Sequence, residues 1–80
     1  MYSAYILQSQ KLGRYYIGSC KDVDIRIKKH NAGAVRATKA GIPWGLRHRE
    51  EFLTRSEAVR REKQIKSYKG GEAFRKLVKK

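Results

Sequence analysis

The sequence predicts a small α/β fold of the α+β type, in which a three-stranded antiparallel sheet is flanked by helices in the order β-β-α-β-α-α. Residues 2–8 and 14–20 are rich in aromatic and β-branched side chains and are separated by a short turn segment, a pattern typical of a β-hairpin. Two later segments carry apolar residues at helical spacing behind residue types that commonly cap helices. Because 80 residues bury only a small core, we expect one domain, residues 1–80.

The middle of the chain is divided by caps and helix breakers. The first helix is predicted to begin after Asp22, a common N-cap residue type, and to end at Gly33. Residues 34–45 combine Gly, Pro and basic side chains with little periodicity, which predicts a basic loop before a third strand at residues 46–53. Trp44, near the start of that strand, is more typical of core packing than of base stacking.

The last third of the chain reads as two helices. Thr54 followed by Glu57 fits a capping box, and residues 58–68 place apolar side chains at helical spacing. Glycines 70 and 71 interrupt that pattern. Residues 72–80 resume it and predict a short C-terminal helix.

Composition points to a nucleic-acid partner. Twenty Lys and Arg against seven Asp and Glu give a formal net charge of +13, which favours binding to a polyanion. DNA is the expected partner, RNA is an open alternative, and no obligate protein partner is evident. The single Cys20 has no second Cys for a disulfide or a zinc pattern, which suits a reducing compartment. No apolar run approaches the roughly 20 residues of a membrane span, so we expect a cytoplasmic protein.

Two tyrosines and a helical Arg–His pair are the first candidates for chemistry. If the hairpin turns about residues 10 and 11, Tyr5 and Tyr16 lie directly opposite each other on one face of the sheet. His30 falls on the helix stripe that faces the sheet, and Arg26 borders it, so both resemble donors aimed at an anion. The alternatives are an aromatic pair that only stabilises the hairpin, a surface ion pair of Arg26 with Asp22, and a His30 that is a satisfied boundary residue.

Glu62 is the most unusual residue of the second helix. It is predicted to lie at the centre of the apolar stripe of that helix, where a carboxylate is costly unless a cation meets it. That cation is either Arg26, which gives a structural ion pair, or a divalent metal, which gives a catalytic site. One carboxylate is too few for a two-metal site, but Mg²⁺ retains several waters and accepts a single protein carboxylate.

The same residues resemble the motifs of the GIY-YIG endonuclease superfamily, and more closely those of its small, standalone bacterial members, which are related to the catalytic domain of the excision-repair endonuclease. The first motif is Ala4-Tyr5-Ile6, the second is Tyr16-Ile17-Gly18, and the two tyrosines are eleven residues apart. Arg26, eight residues after Gly18, and Glu62 stand where the family has its arginine and its metal-binding glutamate. Ala4 replaces the Gly of the first motif, and Ser19 replaces a basic residue that some members carry.

This resemblance implies one-metal hydrolysis of phosphodiester bonds in DNA, with branched or damaged DNA as candidate substrates. Glu62 would bind Mg²⁺ or Mn²⁺. Tyr5 is favoured as the general base, its pKa lowered from about 10 by nearby cations and the metal ion, with Tyr16 as its orienting or phosphate-binding partner; the two roles are exchangeable. Arg26 would hold the scissile phosphate, and His30 would do the same or protonate near the leaving oxygen. The alternative function is a nucleic-acid-binding module with this fold and little turnover.

Further basic side chains are candidates to contact the phosphate backbone, a contribution that is independent of base sequence and weakens with salt. For each of them the alternative is a solvated basic surface. They are Arg36, Lys39, Arg47, Arg49, Arg60, Arg61 and Lys66.

Overall fold

Three antiparallel strands form the centre of the molecule. The computed structural model describes residues 1–79, in which β1 (Tyr2–Ser9), β2 (Tyr15–Cys20) and β3 (Trp44–Phe52) form a sheet in the order β2-β1-β3. The central strand β1 is covered on both faces, so that residues 4–7 are almost fully buried. β2 and β3 are the edges of the sheet. The predicted α+β class and the order β-β-α-β-α-α are confirmed.

The helices begin and end close to the predicted positions. Helix α1 spans Val23–Asn31, α2 spans Arg55–Ser67 and α3 spans Glu72–Val78. Asp22 caps α1, and the capping box predicted at the start of α2 is present. Helix α1 is capped at Ala32 rather than at Gly33, which follows it with a φ of 80°. The final residue of the predicted C-terminal helix, Lys80, lies outside the described residues. Within residues 1–79, no helix is long and apolar enough to cross a bilayer.

The register of the hairpin differs from the prediction. Tyr5 pairs with Gly18, and Tyr16 pairs with Leu7, so the two tyrosines are diagonal neighbours rather than directly opposite. The reason is a longer turn. Ser9 N donates to Arg14 O at 2.8 Å, and the Ser9 hydroxyl accepts from Leu12 N at 2.9 Å. Because the shift is two residues, both tyrosines still lie on the predicted common face.

Alternate residues of β1 contribute to two hydrophobic clusters, one on each side of the sheet. Tyr5 and Leu7 pack with Val23 of α1 and with Trp44. Ile6 packs on the opposite side with a second set from α2 and α3. The sheet therefore separates an α1 face from an α2 face, and any site residue can be assigned to one of them. The second set consists of Ile65, Phe74 and Val78.

The segment predicted as a basic loop contains an ordered 3₁₀ turn at Arg36–Gly41. Trp44 organises it, because its indole Nε1 donates to Thr38 O at 2.7 Å while its backbone N–H donates to Asn31 Oδ1 at 2.6 Å. With 7% of its surface exposed, Trp44 is a packing residue, as the sequence favoured. β3 begins at Trp44, two residues before the predicted start.

Candidate active site

Tyr5 projects from the central strand towards β2 and lies over Gly18. Its side chain is 1% exposed. A Cβ at Gly18 would lie 2.6 Å from the Tyr5 hydroxyl oxygen, so the missing side chain of Gly18 provides the space for the phenol head. Burial raises the pKa of Tyr5 to about 12, even though the nearby Arg26 guanidinium favours the phenolate. In the protein alone, desolvation of the Tyr5 hydroxyl therefore outweighs the charge of Arg26, and the part of the expected pKa shift assigned to a metal ion stays a prediction.

His30 is fully buried beneath Tyr5, on the stripe of α1 that faces the sheet. Its Nε2 lies 3.2 Å from the Tyr5 hydroxyl, and its Nδ1 lies 2.8 Å from Thr38 Oγ1. Burial, together with the charge of Arg26, lowers the pKa of His30, so the ring is neutral near pH 7. With no exposed surface and both nitrogens bonded, this ring has no free nitrogen to offer a phosphate.

Arg26 is half-buried beside Tyr5, one turn of α1 before His30. Interaction with the Tyr5 hydroxyl raises its pKa. Its Nε is buried and has no hydrogen-bond partner among residues 1–79. The alternative ion pair with Asp22 is not among the ion pairs of the described residues. Asp22 instead caps α1 by accepting from Ile25 N at 3.1 Å.

Tyr16 completes this group and is the more accessible of the two tyrosines. It lies on the edge strand β2 and is only half-buried. Its ring centroid is 4.9 Å from that of His30 and 6.4 Å from that of Tyr5. Four of the predicted site residues thus lie together on the α1 face of the sheet: Tyr5, Tyr16, Arg26 and His30.

Glu62, a half-buried residue of α2, lies on the other side of β2. Its side chain is 18% exposed. Oε1 accepts from the Ser19 hydroxyl at 2.6 Å, and Oε2 accepts from Lys66 Nζ at 2.7 Å. Burial opposes ionisation of this carboxyl, but the Lys66 and Ser19 hydrogen bonds outweigh it and lower the pKa of Glu62. Glu62 is therefore a carboxylate at neutral pH.

Comparison with known proteins identifies the group to which this arrangement belongs. A sequence model described as the GIY-YIG catalytic domain matches residues 1–73. The chain belongs to the GIY-YIG family. It is 42% identical over 67 residues to a UPF0213 protein of Halobacterium salinarum, covering 82% of this chain and 86% of that protein. It is 44% identical over 57 residues to a UPF0213 protein of Staphylococcus aureus, covering 70% of each. The names of these two relatives state no activity.

A solved structure gives a third comparison. The solution NMR structure of the UPF0213 protein BH0048 from Bacillus halodurans shares 34% sequence identity with this chain. The alignment covers 91% of this chain and 90% of that protein, with a TM-score of 0.48.

The GIY-YIG motif residues of this chain are divided by the edge strand. Gly18 and Ser19 are consecutive in β2, so their Cα atoms are about 3.8 Å apart and they face opposite sides of the sheet. The Tyr5 hydroxyl lies over Gly18, and the Glu62 carboxylate is bonded to Ser19. No hydrogen bond or ion pair joins Glu62 to Arg26 in the described part of the chain. The structural ion pair considered from the sequence is thus absent there, and Lys66 is the cation that meets Glu62.

The donors around Glu62 fit one weakly anchored, hydrated metal ion. No group of three or more His, Cys, Asp or Glu side chains is placed to hold a metal within residues 1–79. Glu62 and the Ser19 hydroxyl are oxygen donors, which suit Mg²⁺ or Mn²⁺. A hard cation that keeps most of its waters needs no further protein ligand.

The further basic candidates fall into two groups. Arg61 is half-buried and binds Glu50 through Nε at 3.0 Å and Nη2 at 3.0 Å. Arg47, also half-buried, donates from Nη2 to Val78 O at 2.7 Å. Lys66 is exposed but paired with Glu62. The remaining four are exposed and are Arg36, Lys39, Arg49 and Arg60.

Three polar residues of this region were not singled out by sequence reasoning. Ser19 was noted only as a departure from the family pattern. Thr38 lay within a predicted loop, and no periodicity indicated that it would be 1% exposed. Glu50 gave no signal because its partner Arg61 is eleven residues away on another element.

Proposed function

We propose that this chain is a divalent-metal-dependent endonuclease that hydrolyses phosphodiester bonds in DNA, with branched or damaged DNA as candidate substrates. Membership of the nuclease-type GIY-YIG family supports the reaction class. The observation that carries the proposal is the composition of the β2 edge. The Arg26 guanidinium lies beside Tyr5 on one side of this strand, and the Glu62 carboxylate is bonded to Ser19 on the other.

Arg26 is the proposed phosphate-binding residue. A guanidinium presents several N–H donors in a fixed plane, which match the oxygens of a phosphate. The half-burial of Arg26 strengthens such a contact, because a partly desolvated charge is screened less than an exposed one. The same charge would stabilise the negative charge that develops in the transition state.

We exchange the roles of the two tyrosines relative to the sequence expectation. A general base must reach the attacking water, and Tyr5 is 1% exposed with a pKa raised to about 12. Tyr16 is half-buried on the edge strand, where a substrate can approach it. Tyr16 is therefore the tyrosine proposed to take the proton of the water. Tyr5 is proposed to take the orienting role.

Glu62 is the proposed metal ligand, with the Ser19 hydroxyl holding its carboxylate in place. When bound, Mg²⁺ or Mn²⁺ would supply positive charge for the phosphate oxygens and acidify a water. Lys66 competes for the same carboxylate. Because its side chain is 54% exposed, Lys66 is free to withdraw into solvent when another cation arrives.

A second candidate function is nucleic-acid binding with little turnover. The ion pair of Glu62 with Lys66 and the burial of Tyr5 favour it, because both place candidate site groups in contact with the protein itself. The four exposed basic side chains would then account for a salt-sensitive affinity for DNA or RNA.

Incubation of the purified protein with supercoiled plasmid and a panel of branched DNAs separates the two functions. The reactions contain Mg²⁺, Mn²⁺ or EDTA, and wild type is compared with Glu62→Gln and with Glu72→Gln, an exposed glutamate of α3. Cleavage that requires metal, survives in Glu72→Gln and is lost in Glu62→Gln supports the nuclease. Cleavage in EDTA or in Glu62→Gln contradicts it. Salt-sensitive binding without any cleavage supports the binding module.

A further inference from the structure

We propose that Thr38 is a positioning residue that fixes the tautomer of His30. The tautomer of His30 in turn sets the direction of the Tyr5 O–H bond and the position of the Arg26 guanidinium. The structural part of the proposal concerns Thr38, His30 and Tyr5, each of which is at most 1% exposed. Its consequence for cleavage rests on the proposed function.

The chain of hydrogen bonds begins at a backbone carbonyl. Thr38 Oγ1 lies 3.3 Å from Val35 O and 2.8 Å from His30 Nδ1. A hydroxyl has one proton, and a carbonyl oxygen only accepts. When the Thr38 proton goes to Val35, the Thr38 oxygen is left as an acceptor, so the proton between Thr38 and His30 must be on Nδ1.

The tautomer of His30 then decides what Tyr5 does. A neutral imidazole carries one proton, so protonation at Nδ1 leaves Nε2 as an acceptor. The Tyr5 hydroxyl, 3.2 Å away, donates to it. Since His30 is 0% exposed, water offers no competing partner for either nitrogen.

The orientation of the Tyr5 proton matters to Arg26. With its proton directed to His30, the Tyr5 oxygen presents its lone pairs to the neighbouring guanidinium, which has only donors. In the opposite tautomer, Nε2–H would point at the Tyr5 oxygen and the Tyr5 proton would have to turn away from His30. If the Tyr5 proton turned towards Arg26, the Tyr5 O–H and the guanidinium N–H groups would both be donors and could not bond to each other. Arg26 would then no longer be held beside Tyr5.

Two substitutions isolate the Thr38 hydroxyl from the Thr38 backbone. The backbone carbonyl of Thr38 binds Trp44 Nε1 and is unchanged in either variant. Thr38→Val keeps the shape of the side chain and removes the hydroxyl, so it leaves Nδ1–H without an acceptor. Thr38→Ser keeps the hydroxyl and serves as the matched control.

The direct test is the tautomer of His30, measured from the ¹⁵N chemical shifts of its ring in the free protein. We expect Nδ1–H in wild type and in Thr38→Ser, and a shift towards Nε2–H in Thr38→Val. An Nε2–H tautomer in wild type overturns the proposal, and so does an unchanged tautomer in Thr38→Val. This result does not depend on whether the protein cleaves DNA.

The functional consequence is tested with the same variants. In Thr38→Val we expect the affinity for a short DNA duplex, or the single-turnover cleavage rate, to fall about tenfold, and Thr38→Ser to restore it. Unfolding curves of both variants show whether the loss follows stability instead. If Thr38→Val shifts the tautomer of His30 but leaves DNA binding and cleavage unchanged, the proposed effect of the tautomer on Arg26 is overturned. A wild type that never cleaves contradicts the proposed function and leaves the tautomer result standing.

Discussion

Gly18 lies directly opposite Tyr5 across the β1–β2 pair, and the Tyr5 hydroxyl occupies the space that a Gly18 side chain would fill. The glycine of the second motif is therefore explained by the tyrosine of the first. A strand normally disfavours glycine, because it contributes no packing and loses more chain entropy on folding. Here the missing Cβ lets a buried phenol reach His30 and Arg26.

Gly18→Ala should disturb the site more than the addition of one methyl group suggests. The new Cβ would lie 2.6 Å from the Tyr5 hydroxyl and 3.2 Å from the Tyr16 ring, so both tyrosines must shift. We expect a loss of about 1 to 3 kcal/mol in the free energy of unfolding, measured by urea titration, together with loss of DNA cleavage. Gly45→Ala is the matched control, since its Cβ would only reach ordinary contact with Gln10 at 3.5 Å. Equal stability of the two variants would contradict this account.

The ionisation of Tyr5 should be visible in both absorbance and stability. Its pKa is raised to about 12 in the folded protein, against about 10 in the unfolded chain. Between these values the unfolded chain has lost a proton that the native protein retains, so stability is complete below pH 10 and falls as the pH rises through 12. The phenolate absorbance is measured against pH for wild type and for Tyr5→Phe. The difference between the two curves should show that Tyr5 ionises at a higher pH than the other tyrosines. A Tyr5 that titrates below pH 10 would remove one reason for excluding Tyr5 as the general base.

Removing Lys66 should tighten metal binding. Lys66 neutralises Glu62 at 2.7 Å, and a divalent ion must replace it there. An exposed i,i+4 ion pair contributes roughly 0.3 to 0.5 kcal/mol, so Lys66→Gln should lower the dissociation constant for Mn²⁺ about twofold in electron paramagnetic resonance titrations. Lys63→Gln, which removes a nearby charge without a hydrogen bond to Glu62, should have a smaller effect. Weaker Mn²⁺ binding in Lys66→Gln would mean that Lys66 helps to assemble the site.

Substitutions of two adjacent arginines of α2 should differ in their effects on stability and on DNA binding. Arg61→Ala leaves the half-buried Glu50 without its main partner and should cost roughly 1 to 3 kcal/mol in unfolding free energy. Arg60 is exposed, so Arg60→Ala should leave stability unchanged and reduce the salt dependence of DNA binding. Thermal unfolding and binding at several salt concentrations measure both effects. A destabilised Arg60→Ala, or a fully stable Arg61→Ala, would contradict this division.

The pH dependence of stability should reflect the ion pair of Arg61 with Glu50. Arg61 and His48 lower the pKa of Glu50 against the opposing effect of burial. For a depressed carboxyl pKa, the stabilisation is present above the unfolded value of about 4.3 and is lost as the pH falls through the folded value. Arg61→Ala should therefore unfold at a higher pH than wild type during acid titration.

Most of the fold could be predicted because its signals are local. β-rich segments, the Asp22 cap and the Thr54–Glu57 capping box each act within a few residues, and each appears where expected. The hairpin register could not be predicted in this way. It depends on the Ser9 hydroxyl and on Gly13, which adopts a φ of 74°, and these lengthen the turn beyond the assumed two residues.

The faces on which some candidate site residues lie could be predicted, but their contacts could not. His30 was placed correctly on the sheet-facing stripe, yet its contact with Thr38 required the fold of the intervening segment. The pKa of Tyr5 was expected to fall because charges can be counted in a sequence, whereas the burial that raises it cannot. Likewise, helical spacing indicated that Glu62 needed a cation but not that Lys66, one turn later, would supply it.

The most direct test of the central claim is a double-mutant cycle for cleavage. The claim is that cleavage requires both the Arg26 guanidinium and the Glu62 carboxylate, which lie on the two sides of β2. Single-turnover rates are measured with Mn²⁺ for wild type, Arg26→Ala, Glu62→Gln and the double variant, with folding verified for each. We predict that each single substitution lowers the rate about a hundredfold or more and that the double variant is no slower than the slower single one. A wild-type rate in either single variant would contradict the claim.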